Sequence, residues 1–259
     1  MATFPSGGLI LAYDDIRPAK GESGCVVLVH GFAANRAETW RRLGWYGAFE
    51  RKGYRTVALD LRGHGQSDKP HDAAAYARAD MAGDILALMD HLDLRRVDLM
   101  GYSLGAHLAL GAALARPDRV ANLILGGVGA RLLPGAERSF GASMTMAQAM
   151  RDADPATIAD PIPRGFRQFA ENQGEDRLAL AACSEGRGET LDLDDLAGLA
   201  MPTVVIAGAR DTIAGDPGAL ADAIPGARSV SLPACDHFSA IPHALFKAAV
   251  FDFLDGWLE

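Results

Sequence analysis

Gly101-Tyr102-Ser103-Leu104-Gly105 is the stretch of sequence that decides the fold. It is preceded by Val97-Asp98-Leu99-Met100, whose short and largely apolar composition is typical of a buried strand. It is followed by the Ala- and Leu-rich residues 106–115, which favour a helix that stops before Pro117. The sequence therefore predicts that Ser103 lies where a strand turns sharply into a helix. The flanking glycines suit such a turn, because a strand and a helix that approach this closely leave no room for side chains.

A serine at a turn of this kind has the properties expected of a nucleophile. The turn exposes the Ser103 hydroxyl, and the first amides of the helix that follows can stabilise a developing negative charge. The pattern G-x-S-x-G is common by chance, so the inference depends on its strand–turn–helix context.

Composition limits the classes of protein that fit. The chain has 259 residues, of which 49% are hydrophobic and 22% charged, as in a globular protein with a substantial core. A net charge of −8 argues against a nucleic-acid partner, and no apolar run is long enough to span a membrane. The first residues lack the basic start and apolar core of a signal peptide, and three scattered cysteines indicate a reducing compartment. We therefore expect a cytoplasmic monomer or homodimer that acts on a small-molecule substrate, without a nucleic-acid or membrane partner.

Strand and helix patterns alternate along most of the chain. The continuous apolar run 25–29 is typical of a strand covered on both faces, residues 55–59 and 202–207 are also expected to form strands, and segments with helical spacing of apolar residues lie between the strands. The last helix is expected from about Pro242 to Leu258. This alternation predicts an α/β fold with a mostly parallel, doubly wound sheet.

The alternation stops between residues 130 and 196. This stretch has no convincing strand pattern, is helix-like in composition, and is interrupted by prolines. We therefore expect a core domain of residues 1–129 and 197–259, with a helical cap of residues 130–196 as an insertion.

A serine nucleophile needs a base within hydrogen-bond reach, and the base needs an orienting carboxylate. In an open parallel sheet, reactive groups gather in loops at the carboxyl ends of the strands. Of the seven histidines, His237 has the best location for a base, because it lies in the loop after the last predicted strand. Asp211 follows the strand at 204–207 and is the first choice for the acid, with Asp216 second.

The developing oxyanion needs two hydrogen-bond donors. The Leu104 amide at the start of the helix is one expected donor. The second is expected from the loop His30-Gly31-Phe32, with the Phe32 amide as donor and Gly31 allowing close approach. Because this chemistry needs no metal or organic cofactor, we expect neither.

At this point the chain resembles the α/β-hydrolase family over nearly its whole length. The stretch 30–32 resembles the family's HG-x oxyanion loop, and Asp60-Leu61-Arg62-Gly63-His64-Gly65-Gln66-Ser67 resembles its D-x-R-G-x-G-x-S loop. The order Ser103, Asp211, His237 is also that of the family. The resemblance implies an α/β-hydrolase fold. These motifs identify the fold much more specifically than they identify the reaction.

Several branches of that family fit less well. The dehalogenases and epoxide hydrolases of this fold use an aspartate nucleophile, whereas position 103 is serine. The cofactor-free haloperoxidases have extra glycines after the nucleophile elbow, the turn formed here by residues 101–105, where this chain has Ala106-His107. We therefore expect a carboxylic-ester hydrolase acting through an acyl-enzyme. A C–C bond hydrolase, a thioesterase, an acyltransferase and a non-enzymatic ligand sensor remain alternatives.

The substrate pocket is expected between the elbow and the cap. Arg164 and Arg167 are more simply explained as solvated surface residues than as binders of a substrate carboxylate. The apolar cap residues exceed what a surface excursion needs, and methionine adapts to varied shapes. The predicted pocket residues are His30, Gly31, Tyr102, Met144, Met146, Met150, Phe166, Phe169 and Phe238.

Overall fold

The computed structural model describes residues 2–19, 21–136, 145–187 and 192–258. Within these ranges the chain forms an eight-stranded sheet with helices on both faces. The strands are β1 (Ala2–Ser6), β2 (Leu9–Ile16), β3 (Gly24–Val29), β4 (Tyr54–Leu59), β5 (Val97–Tyr102), β6 (Val120–Gly126), β7 (Thr203–Gly208) and β8 (Arg228–Leu232). The helices are α1 (Trp45–Arg51), α2 (Arg78–His91), α3 (Leu104–Ala115), α4 (Met146–Arg151), α5 (Pro161–Gln173), α6 (Arg177–Glu185), α7 (Leu193–Ala197), α8 (Pro217–Asp222) and α9 (Ala244–Leu254).

The sheet order is β1-β2-β4-β3-β5-β6-β7-β8. The six strands from β4 to β8 in this order pair in parallel, whereas β1 and β2 are antiparallel to their neighbours. The predicted mostly parallel, doubly wound sheet is thus confirmed. Strand β1 was not predicted, because it carries Pro5 and buries only Phe4, so its apolar pattern is too weak to recognise.

The core lies on the two faces of the sheet. Along β5, Val97 and Leu99 belong to one apolar cluster, whereas Met100 and Tyr102 belong to the cluster on the opposite face. This alternation follows from the two-residue period of a strand. Burial on both faces explains why the central strands have continuous apolar sequences rather than alternating ones.

The last helix is shorter than the sequence suggested. It begins at Ala244 rather than Pro242, because the His243 side chain accepts a hydrogen bond from the Leu245 amide and caps the helix. It ends at Leu254, and Gly256 follows with a φ of +76°, a backbone conformation that favours glycine and terminates helices.

The described part of the stretch between β6 and β7 is helical, as expected. Asp160 caps α5 by accepting from the Ile162 amide, with Pro161 in the first turn, and Asp176 caps α6 in the same way. Side chains of α4, α5 and α6 form a third, smaller apolar cluster together with Ala33 from the loop after β3.

Arg167 belongs to α5 and corrects an expectation. It is 1% exposed, and its guanidinium donates to the carbonyls of Ala149 and Asp152 and to the Glu171 carboxylate. It is therefore a buried residue that links α5 to α4, and not a solvated surface residue.

In the described ranges, none of the helices is both long enough and apolar enough to cross a membrane.

Candidate active site

Ser103 lies between the end of β5 and the start of α3, with φ of +54° and ψ of −117°. This backbone conformation is strained for a residue with a side chain. A Cβ added at Gly101 would collide with the Gly105 carbonyl, and one added at Gly105 would collide with the carbonyls of Val29 and His30. Both glycines are therefore required by the close approach of α3 to β5 and β3.

Ser103, His237 and Asp211 form a continuous chain of hydrogen bonds. His237 Nε2 is 2.9 Å from Ser103 Oγ, and His237 Nδ1 is 2.8 Å from Asp211 Oδ2. Because a carboxylate accepts, the His237 proton lies on Nδ1, and the Nε2 lone pair is directed at the serine hydroxyl. This arrangement can remove a proton from Ser103 as the oxygen attacks an electrophile.

Asp211 is fixed by its own loop. It is 4% exposed, and its Oδ1 accepts from the amides of Ile213 (3.0 Å) and Ala214 (2.8 Å), which leaves Oδ2 for His237. The two other acids near the site have different roles. Asp216 is exposed and caps α8 through the Gly218 amide, and Asp236 accepts from the amides of Phe238 and Ser239 in a turn.

The loop of residues 30–36, which contains the predicted oxyanion stretch 30–32, passes directly beside Ser103. A Cβ added at Gly31 would stand 3.2 Å from the Tyr102 carbonyl oxygen and 3.3 Å from Ser103 Cβ. Leu104 is the first residue of α3, so its amide has no acceptor within the helix.

Aromatic rings surround the imidazole of His237. The Phe166 ring, from α5, lies 5.8 Å from the Phe32 ring, 6.1 Å from the His237 ring and 5.2 Å from the Phe238 ring. The Phe169 ring lies 5.8 Å from the ring of Phe238, a residue that is 43% exposed. The space next to the hydrogen-bonded serine is therefore bordered by apolar surface.

Three residues of the predicted pocket do not face open space. His30 is fully buried with both ring nitrogens bonded to backbone, and Tyr102 lies under His237, with its hydroxyl donating to the His237 carbonyl. Met150 is fully buried in the third apolar cluster, because its helix α4 packs on α6. The expectation that these three line a pocket is wrong. Met146 is half-buried at the edge of the same cluster, and Met144 lies outside the described residues.

Two acidic side chains, Asp60 and Glu175, bond the loop of residues 30–36, and the sequence did not predict these contacts. Asp60 accepts from the Arg36 amide (2.8 Å) and from the Gln66 amide (2.8 Å), and its carboxylate also pairs with the Arg36 guanidinium. Glu175, between α5 and α6, accepts from Asn35 Nδ2 (2.9 Å) and the Gly65 amide (2.8 Å), so it joins this turn to the loops that follow β3 and β4. The position of Asp60 at the end of β4 was a usable signal; nothing local marked Arg36 or Glu175.

Burial dominates the electrostatics beneath the site. It raises the pKa of Glu175, and it lowers the pKa of His30 to about 4 and of His64 to about 3. Nδ1 of His64 bonds the Arg62 carbonyl at 3.0 Å, and the two imidazole rings meet edge to face at 5.3 Å. Both histidines are therefore neutral in the folded protein near pH 7.

Across the described ranges, no group of three or more His, Cys, Asp or Glu is placed to hold a metal ion.

Comparisons with known proteins agree with this architecture. A family model described as the alpha/beta hydrolase fold matches residues 24–185. An epoxide hydrolase of Caballeronia sordidicola is 40% identical over 39% of the chain, but the chain spans only 30% of that enzyme's length. A putative carbamate hydrolase of Variovorax paradoxus is 29% identical over 94% of the chain and 96% of its own length. The crystal structure of a hydrolase from Pseudomonas aeruginosa superposes with a TM-score of 0.77 at 28% identity, covering 98% of this chain and 97% of that one.

The family model matches more than half of the 259 residues, and the superposition extends over almost all of them. The chain therefore belongs to the α/β-hydrolase fold family.

Proposed function

We propose that this protein is a serine hydrolase that cleaves small to medium carboxylic esters through an acyl-enzyme. The observation that carries the proposal is the hydrogen-bonded chain from Asp211 through His237 to Ser103 at a strained strand–helix turn. Similarity over nearly the full length to a putative carbamate hydrolase, and to a hydrolase of known structure, supports the hydrolase class.

In the proposed reaction, Ser103 Oγ attacks the ester carbonyl carbon while His237 Nε2 takes the hydroxyl proton. The carbonyl π electrons move to oxygen and give a tetrahedral intermediate, which collapses as His237 protonates the departing alkoxide. A water molecule, deprotonated by His237, then attacks the acyl-enzyme and releases the carboxylic acid. Asp211 holds the imidazole in the Nδ1–H tautomer and stabilises the imidazolium that forms in each half.

The oxyanion of each intermediate is held by the amides of Leu104 and Phe32 in this proposal. The helix N-terminus adds its partial positive charge at Leu104. The contact of Gly31 with Ser103 supports the loop's part in this site, because it brings the backbone of residues 30–32 next to the nucleophile.

The acyl or alkoxy group is proposed to lie against the aromatic rings of Phe32, Phe166 and Phe238. Phe166 comes from the stretch 130–196, which acts as a lid in this proposal and contributes no reacting group. The only buried guanidinium of α5, that of Arg167, is already bonded to protein groups. The described surroundings therefore favour an uncharged, apolar substrate group.

Carbamate hydrolysis is a second candidate, favoured by the putative carbamate hydrolase to which the chain is similar over 94% of its length. The same serine can attack a carbamate carbonyl, and protonated His237 can donate its proton to the departing alkoxide or amine. Epoxide opening is less favoured, because position 103 carries a serine in place of the carboxylate nucleophile expected for that reaction.

The test is hydrolysis by wild type and by Ser103→Ala of p-nitrophenyl acetate, butyrate and octanoate, with a thioester, a vinylogous diketone and an aryl carbamate as further substrates. We expect Ser103→Ala to lower kcat for esters by about 10⁴-fold or more. A fluorophosphonate is expected to label the wild type at Ser103. Activity that survives in the alanine variant would overturn the proposal, and a preference for another substrate would reassign the bond that is cleaved.

A further inference from the structure

His30 is a fully buried histidine whose two ring nitrogens both contact backbone. Nε2 accepts a hydrogen bond from the Leu61 amide at 3.0 Å, and Nδ1 is 2.8 Å from the Gly31 carbonyl oxygen. The Leu61 amide can only donate, so Nε2 must be unprotonated. The ring proton of the neutral imidazole is therefore on Nδ1, from which it is donated to Gly31.

The Gly31 carbonyl and the Phe32 amide belong to the same peptide group. In a trans peptide the C=O and N–H bonds point in opposite directions, so fixing one also fixes the other. Glycine resists rotation of this peptide group least of all residues, and the space at Gly31 is tight: a Cβ there would stand 3.2 Å from the Tyr102 carbonyl oxygen and 3.3 Å from Ser103 Cβ. The only other contact to this carbonyl among the described residues is a long one, 3.4 Å, from the Ala34 amide.

We propose that His30 is a positioning residue for the oxyanion site, holding the Gly31–Phe32 peptide in the orientation that presents the Phe32 amide to the reacting carbonyl. This inference rests on the proposed function, since it concerns a donor to the oxyanion of the acyl transfer. The hydrogen bond on the carbonyl also polarises the peptide, which strengthens its N–H as a donor.

The groups around His30 keep it in the form that this role requires. Asp60 Oδ1 is 3.9 Å from His30 Nε2, but the Asp60 carboxylate is paired with the Arg36 guanidinium, whose positive charge opposes a further positive charge on the His30 ring. The edge of the His64 ring packs against the His30 ring, and burial lowers the pKa of His30 to about 4. A proton added at Nε2 would also meet the Leu61 amide proton. His30 therefore remains a neutral donor at Nδ1 over the range in which a hydrolase is assayed.

Two substitutions of His30 distinguish the hydrogen bond made by Nδ1 from the one made by Nε2. In His30→Asn the side-chain amide reaches the level of Nδ1, so a donor to Gly31 is kept and the acceptor for Leu61 is lost. In His30→Gln the amide reaches the level of Nε2, so the Leu61 acceptor is kept and the Gly31 donor is lost. Each variant loses one buried hydrogen bond, so their losses of stability are matched.

The experiment measures kcat and KM for p-nitrophenyl butyrate, together with the rate of fluorophosphonate labelling at Ser103. Because loss of one oxyanion donor lowers kcat by about 100-fold or more, we expect His30→Gln to approach that loss in kcat and labelling with KM within about threefold. We expect His30→Asn to stay within about tenfold of wild type. Equal kcat in the two variants, or a larger loss in His30→Asn, would overturn the inference.

A measurement on the unmodified protein covers the case in which neither variant folds. Nitrogen-15 chemical shifts of wild-type His30 are expected to report the Nδ1–H tautomer between pH 5 and 8, and an Nε2–H tautomer would overturn the inference. Failure of the fluorophosphonate to label wild-type Ser103 would instead overturn the proposed function and, with it, this role of His30. Labelling of wild type that His30→Gln leaves unchanged would overturn this inference alone.

Discussion

His30 and His64 are expected to make the free energy of unfolding depend on pH between 7 and 5. In the unfolded chain each imidazole has its ordinary pKa of 6.5, whereas burial lowers the folded-state pKa to about 4 for His30 and about 3 for His64. As the pH falls through 6.5, the unfolded chain binds a proton at each ring and the folded protein does not. Stability therefore decreases with acidification, until each folded-state pKa is passed.

The magnitude follows from proton linkage. Each histidine contributes a slope of about 1.4 kcal/mol per pH unit once the unfolded ring is protonated. Between pH 7 and 5 this amounts to about 2 kcal/mol for each ring and about 4 kcal/mol for both. Because domains are stable by only 5–15 kcal/mol in general, the loss is large enough to measure by urea unfolding. The fluorescence of the buried Trp40 and Trp45 provides the signal.

A matched variant isolates one ring. His64→Asn keeps a donor for the Arg62 carbonyl and removes the titrating group. Glu175 and Asp98, whose pKa values are raised by burial, oppose the effect but contribute equally to wild type and variant. We expect the variant to lose about 2 kcal/mol less than wild type between pH 7 and 5. The same pH dependence in both proteins would refute the argument that burial keeps His64 neutral.

Asp211→Asn should lower kcat by about 10⁴-fold, because the wrong imidazole tautomer is favoured, whereas Asp216→Asn should stay within about twofold; the reverse ranking would move the acid to Asp216. Phe238→Ala should shift ester preference towards longer acyl chains, while Met150→Ala should lower the free energy of unfolding by about 2–5 kcal/mol with an unchanged chain-length profile. If only stability changes in both, the aromatic rings do not border the substrate. Glu175→Gln loses one of two buried acceptors and should destabilise by about 1–3 kcal/mol in thermal unfolding, and an unchanged Tm would contradict its joining role.

The architecture and the location of the candidate site could be predicted from local sequence. Continuous apolar runs identified the buried strands, and the glycines at 101 and 105 identified the turn that holds Ser103. Asp211 and His237 could be selected because each follows a strand at its carboxyl end, and such ends meet at one edge of a parallel sheet. Each of these inferences depends on residues that are neighbours in sequence, so local patterns were enough to make it.

The tertiary structure alone decided which side chains border the site. His30, Tyr102 and Met150 have sequence positions that predict a place in the pocket, but neighbouring elements cover all three. The backbone of Gly31 and Leu61 covers His30, the loop of His237 covers Tyr102, and α6 covers Met150. The same is true of the contacts that Asp60 makes with Arg36 and that Glu175 makes with Asn35, which join residues 24 and 140 positions apart. Periodicity specifies the face of a helix or strand on which a residue lies. It does not specify what packs against that face, because the packing is set by the whole chain at once.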